Sequence, residues 1–398
     1  MSNKKRVVVA FSGGLDTSFC VIWLKSQGYE VATITVDTGG FAPEELARIE
    51  KLSADLGTIK HCSIDGRQQV YDSFGAYIIK GNILRGGVYP LCVGSERMVQ
   101  AAELVKYATA LKADAVCHGS TGAGNDQVRF DVQIRCLNPK LEIIAPIRSL
   151  AISREDEVKF LKEHGFDFPS ERKTYSINQG ILGTTIGGGV LHDSWQSAPE
   201  EAYILTKGAQ SVTRSTENIV IGFEAGLPTV LNGTKLDGCE ILAQLNTLGG
   251  EFGIGRGVHV GDTTLGIKGR LAFEAPGATI LIQAHRELEK LILTKLQLQT
   301  KEQLAQSYGA LLHEGQWSNP VMRDFEAFID STQRLVSGEV RVKLAAAMCV
   351  VEGVRSPNSL MHAGAVYGEG SRLWSGVEAA GFCKIFGMQS ILAGSREN

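Results

Sequence analysis

No apolar run in this 398-residue chain approaches the ~20 residues that a membrane-spanning helix needs. Nor is charge of either sign in excess. Lys and Arg number 40 against 43 Asp and Glu, a net charge of -3, so the basic bias that a nucleic-acid backbone demands is missing. The eight cysteines (Cys20, Cys62, Cys92, Cys117, Cys136, Cys239, Cys349 and Cys383) are scattered, with no CxxC pair. That argues against structural zinc, an iron–sulfur cluster and a redox dithiol, and fits small buried residues in a reducing cytoplasm. Met1-Ser2-Asn3-Lys4-Lys5-Arg6 runs straight into a strand and leaves no room for a signal peptide. No Walker signature GxxxxGK[ST] occurs, no catalytic triad is apparent, and nothing obliges a histidine to act as a base. What remains is an ordinary soluble globular composition, long enough for two domains or more.

Against these absences stands Val7-Val8-Val9-Ala10-Phe11-Ser12-Gly13-Gly14-Leu15-Asp16-Thr17-Ser18. A β-branched run ends in Ser-Gly-Gly, and an apolar-periodic helix follows with Phe19, Ile22 and Trp23. Two adjacent glycines let backbone approach an anion, and the amides of the first helical turn face it with the helix dipole behind them. Thr17 and Ser18 add hydroxyl donors. Asp16 repels phosphate unless a cation sits between, so the loop reads as a magnesium-assisted phosphate cradle.

Spacing predicts strands at 6–11, 30–36, 58–64, 115–118 and 141–145, alternating with helices at 15–27, 43–56, 95–112 and 153–164. That is a parallel α/β sheet whose ligands lie at the carboxyl ends of the strands. Near residue 170 the texture turns glycine-rich. Short strands are expected at 203–206, 218–223, 228–231 and 264–268, with a helix at 237–248, as in an α+β domain. Amphipathic helical regions follow at 278–308 and 320–337. Val340-Arg341-Val342-Lys343-Leu344 alternates as an edge strand does. A short helix at 376–387 closes the chain, docked on another subunit or on its own.

Three further clusters are candidate sites. Thr35-Val36-Asp37-Thr38-Gly39 ends the second strand, where Val36 can read a base through its backbone, or the segment is a plain turn. His118-Gly119-Ser120-Thr121-Gly122-Ala123-Gly124-Asn125-Asp126-Gln127-Val128-Arg129-Phe130 mixes glycines with donors, acceptors and a cation. Arg129 offers a fork for a carboxylate, and Asn125 and Asp126 can receive an ammonium or amide. Lys173-Thr174-Tyr175-Ser176, Thr184-Thr185 and Gly187-Gly188-Gly189 lie at the junction of the two parts, where a second substrate is enclosed or a linker simply flexes.

In this order, with Leu231-Asn232-Gly233 and Glu274-Ala275-Pro276-Gly277, these segments resemble the argininosuccinate synthases of the pyrophosphate-releasing PP-loop superfamily. The resemblance implies an adenine nucleotide alpha hydrolase-like, Rossmann-like domain (1–168), a synthetase domain (169–370) and a C-terminal helix and tail (371–398). It implies a cytoplasmic homotetramer that uses ATP and Mg. Citrulline, aspartate and ATP would give argininosuccinate, AMP and pyrophosphate through a citrullyl-adenylate. By position, Ala10, Phe11, Ser12, Gly13, Gly14, Leu15, Asp16, Thr17, Ser18, Val36 and Gly119 would hold the nucleotide, Asp16 through the metal. Thr121, Asn125 and Asp126 would bind aspartate. Tyr89, Ser95, Asn125, Arg129, Ser176 and Thr185 would bind citrulline, with Asp16, Asp126 and Arg129 central to the chemistry.

Departures gather at the citrulline end. The family's Leu-Gly-Thr-Ser before an arginine is Leu91-Cys92-Val93-Gly94-Ser95-Glu96-Arg97; a family tyrosine is Phe273, and a glutamate that meets the α-amino group falls near Gly261-Asp262. Gly40 and Asn178 replace a Gln and an Asp. Either Asp262 substitutes after a one-residue shift, or the substrate is an N-acylated citrulline or another ureido compound. A tRNA-modifying PP-loop enzyme is the rival, which would want a cysteine pair or a basic groove.

Overall fold

The computed structural model describes residues 4–169 and 174–396. Lys173 of the junction segment lies outside the described residues.

The first sheet is built from β1 (Arg6–Ala10), β2 (Glu30–Asp37), β3 (Lys60–Asp65), β4 (Ala115–Cys117) and β5 (Glu142–Ile144), ordered β3-β2-β1-β4-β5 and parallel throughout. Val7, Val8 and Val9 are fully buried because both faces of β1 are covered. Val7 and Val9 pack with Phe19, Leu24 and Leu161 of the helices Leu15–Ser26 and Arg154–Glu163. Val8 points the other way, with Ile34, toward Met98 and Leu104 of the helix Glu96–Ala110. Each such side chain contributes about 1.5–3 kcal/mol by leaving water. The strands and helices expected here form close to their predicted bounds. Helical turns between Arg67 and Gly81, and the helix Asp126–Leu137, were not expected, the latter because its first residues look like loop.

Beyond residue 174 two further sheets form. One is β6 (Ser176–Gly180), β7 (Gly183–Gly187), β11 (Arg256–Asp262) and β12 (Lys268–Glu274), ordered β11-β12-β7-β6. The other is β8 (Glu217–Glu224), β9 (Leu227–Leu231), β10 (Thr234–Lys235), β13 (Gly338–Ala345) and β14 (Met348–Arg355), ordered β10-β9-β8-β13-β14. The alternating segment 340–344 is therefore interior rather than an edge: β13 pairs with β8 on one side and β14 on the other. Its exposed Arg341 betrays one solvent-facing surface, not an open edge.

Residues 203–206 are not a strand. The amides of Ile204, Leu205 and Thr206 donate to the fully buried Glu274 carboxylate at 2.9, 2.9 and 2.8 Å, which takes the place of a ladder. Residues 264–267 form the turn of the β11–β12 hairpin, where the Thr263 amide meets the Ile267 carbonyl at 2.8 Å. The long helical region divides into Pro276–Ile292 and Lys295–His313, because Thr294 and Gln297 make a capping box there. The helix expected to stop at Gly249 runs on to Glu251; Gly250 packs against the Leu205 carbonyl where a Cβ would collide. The C-terminal helices Gly376–Phe386 and Met388–Gly394 bury no residue, and Ile385 and Phe386 are 75% and 77% exposed. Among the described residues no helix is long and apolar enough to cross a membrane.

Candidate active site

Strand order reverses between β1 and β4, and at that point a cleft of about 1450 Å³ opens at their carboxyl ends. It is larger than the ~300–1,000 Å³ of a single-ligand pocket, so more than one substrate fits.

Its floor is the turn after β1. Gly13 takes φ +69°, and a Cβ there would stand 2.8 Å from Ile49. The amides of residues 13–17 make no backbone hydrogen bond among the described residues; the Ser18 amide is the first to join the helix, at 3.0 Å from the Gly14 carbonyl. Such free N–H groups at a helix start form an anion cradle. Ala10, Phe11, Ser12, Gly13, Gly14, Leu15, Asp16 and Thr17 all line the cleft. Ser18 does not: helix periodicity turns its side chain into the core, where its hydroxyl has no partner. Asp16 has a second acid near it, Glu157 of the Arg154–Glu163 helix. Burial, and then the charge of Asp16, pushes the Glu157 carboxyl up.

Val36 and Gly119 line the same end. His118 is a scaffold: its Nδ1 accepts from the Ser120 amide at 3.3 Å, so the proton sits on Nε2 and is donated to Asp131 at 2.9 Å.

Opposite the phosphate loop, Asn125 Oδ1 accepts from the Thr264 amide (3.0 Å) and hydroxyl (2.9 Å), tying the loop to the β11–β12 hairpin and leaving its NH2 to face a ligand. Asp126 sits between Arg97 Nε at 2.9 Å and Arg129 Nη1 at 2.8 Å. Burial would raise its carboxyl, but the two guanidinium groups prevail and hold it down at about 2. Arg97 also donates to Asn178 Oδ1 at 2.9 Å, joining the Glu96–Ala110 helix to β6. Arg129 donates from Nε to the His313 carbonyl at 3.0 Å and from Nη2 to His313 Nδ1 at 3.3 Å. An arginine only donates, so His313 Nδ1 is an acceptor; burial first, then the charge of Arg129, lowers that ring to about 3.

Thr121, Ser176 and Thr185 line the cleft as expected. Tyr89 lines it too, but it is buried, and its hydroxyl is spent on Val93, donating to the carbonyl at 2.9 Å. Ser95 is not at the cleft; it is buried with an unpartnered hydroxyl. Gly94, at φ +115°, is the residue that faces Arg129: a Cβ would come 2.9 Å from its Cζ. Asp262 points to solvent, 64% exposed and paired with Lys268 at 2.6 Å, so it offers the cleft no carboxylate. Phe273 is buried on Tyr89, ring centres 5.2 Å apart.

The family model for the arginosuccinate synthase N-terminal HUP domain matches residues 6–167, and that for the arginosuccinate synthase C-terminal domain matches residues 175–393. The chain belongs to the argininosuccinate synthase family. The argininosuccinate synthase of Xanthomonas campestris is 40% identical over 394 residues, covering 98% of each chain. That of Xylella fastidiosa is 40% identical over 396 residues, again 98% of each, and that of Bacillus mycoides 38% over 386, covering 97% and 96%. Membership makes this chain an ATP-dependent ligase of the PP-loop superfamily, with a parallel N-terminal sheet and a mixed α+β C-terminal part.

Arg97, Asn178, Glu157 and His313 were not among the expected site residues of this argininosuccinate synthase relative. Arg97 stood only as part of a family segment. Glu157 and His313 carry no local signal, since each reaches its partner from a helix distant in sequence.

Proposed function

We propose that this chain condenses a citrulline-type ureido compound with L-aspartate, converting ATP to AMP and pyrophosphate. The observation that carries the reading is the opposition, within one cleft, of the free amides at 13–17 and the Asn125–Asp126–Arg129 cluster. The amides would hold the triphosphate, with Val36 and Gly119 against the nucleoside. Asp16 is a hard oxygen donor beside that cradle and suits Mg2+, which when bound neutralises phosphate charge. Thr121, Asn125 and Asp126 would hold aspartate; Asp126 keeps lone pairs free for an ammonium even with two arginines in place. Arg129, Ser176 and Thr185 would hold the citrulline-type substrate.

The ureido oxygen attacks the α-phosphorus and pyrophosphate leaves. The aspartate nitrogen then attacks the ureido carbon, AMP departs with the C–O bond electrons, and the nitrogen loses its proton. Alignment and positive charge carry most of such a reaction, so the hydrogen-bonded, committed histidines His118 and His313 are no obstacle.

The residues 371–398 would cover their apolar side chains on other copies, in a homotetramer. All eight cysteines are unpaired, in keeping with a cytoplasmic enzyme. Pyrophosphate and AMP formation that depends on both aspartate and a ureido compound tests the reading; release of ADP overturns it.

A further inference from the structure

The sheet wall of the cleft bears no acid among the described residues. Asn178 pairs with Thr185, and Thr185 with Phe273; in the next row Ser176 pairs with Gly187, flanked by Leu271. Paired residues share a face and alternate along each strand. Ser176, Asn178, Thr185 and Leu271 of this face line the cleft, as do Ile177 and Gln179 of β6; Gly187 joins them by register, paired with Ser176 at the rim. At Gly187 the wall is bare: a Cβ there would meet nothing within 4 Å.

Three acids on the elements around this wall are engaged elsewhere. Asp126 lies between two guanidinium groups. Asp262 faces solvent with Lys268. Glu96 is sealed under Gly180, where a Cβ would overlap its Oε1, and burial pushes its carboxyl up to about 8. The neighbouring charge is positive, from Arg129. A free amino acid bound here would match its carboxylate to that charge and leave its ammonium without a counter-ion, a costly arrangement in a closed site.

We propose that the ureido substrate carries an acylated, uncharged α-nitrogen, with the acyl group lying over the bare wall at Gly187 beside Leu271. This rests on the ligase reading above. The acyl carbonyl and N–H find hydroxyls at Ser176 and Thr185, and the acyl carbons find Leu271.

The test is the initial rate of aspartate-dependent pyrophosphate release by the full chain with ATP and Mg2+, comparing Nα-acetyl-L-citrulline with L-citrulline. At least a tenfold higher kcat/KM for the acetylated compound is expected. Equal or higher kcat/KM for free citrulline overturns the inference and leaves the ligase reading standing. Absence of aspartate-dependent release with both overturns the ligase reading, and the inference with it. Gly187→Glu then places a carboxylate in the open space and should move the ratio at least tenfold toward citrulline. An unchanged ratio in a variant with the native circular dichroism spectrum overturns the location at Gly187.

Discussion

Gly94 is the residue whose replacement tells most about the site. Two separate penalties attend a side chain there. An L-residue at φ +115° adopts a conformation that costs about 1–3 kcal/mol. The new Cβ would also lie 2.9 Å from Arg129 Cζ and 3.0 Å from both terminal nitrogens. A guanidinium usually swings aside, but this one is fixed by Asp126 at 2.8 Å and by His313 at 3.0 and 3.3 Å. Gly315 closes the other flank: a Cβ there would lie 3.0 Å from Arg129 Cα. Displacement therefore breaks at least one charged hydrogen bond, about 1.5–3 kcal/mol. Gly94→Ala should lower the urea midpoint and reduce kcat/KM about 10- to 100-fold, since each tenfold is about 1.4 kcal/mol. Gly28→Ala is the control. It shares a positive φ (+86°) but meets nothing within 4 Å, so it should lose stability and keep activity. If Gly94→Ala retains wild-type kcat/KM, Arg129 is not held as described.

Glu96→Gln should raise the urea midpoint, more at pH 8.5 than at pH 5. The folded carboxyl, pushed up to about 8 by burial, binds a proton that the unfolded one releases near 4.5, so native stability falls as pH rises between those values; the amide removes that loss. Asp126 works in the opposite sense: held at about 2, it contributes stability above the unfolded value and loses it only as pH falls toward 2, so kcat/KM should show no acid limb from this group between pH 5 and 8. Glu274→Ala should cost about 3 kcal/mol in urea unfolding, because three amides, that of Thr206 buried, and the Thr206 hydroxyl lose their acceptor. Removal of 371–398 should reduce the assembly mass by light scattering while the remaining chain keeps its circular dichroism spectrum.

The parallel sheet was legible because its signals are local and repeated. Runs such as Val7–Val9 and Val31–Val36 need burial on both faces, and the helices between them carry their own stops. The second half obeyed other forces. Residues 203–206 have β-branched and aromatic character, yet their amides serve Glu274, 68 positions away from Thr206. The alternation in β13 reports one wet face and says nothing about whether both edges are paired, so an interior strand looked like an edge. Glycines at 249 and 250 read as a stop, whereas close packing inside the helix uses both, Gly249 against Pro276 and Ile280 and Gly250 against the Leu205 carbonyl.

The same distinction governs the site. The phosphate loop is legible because its chemistry is backbone chemistry, and a strand, two glycines and a helix start suffice to specify it. The opposite side of the cleft is side-chain chemistry assembled from residues near 94, 129, 176, 271 and 313, and around it a glycine means opposite things at two positions. At Gly94 the missing side chain is filled by the Arg129 guanidinium, so the position is closed. At Gly187 nothing stands within 4 Å, so the position is open to whatever binds. Both are simply glycine in sequence. Only the neighbours separate a glycine that seats an arginine from one beside open space.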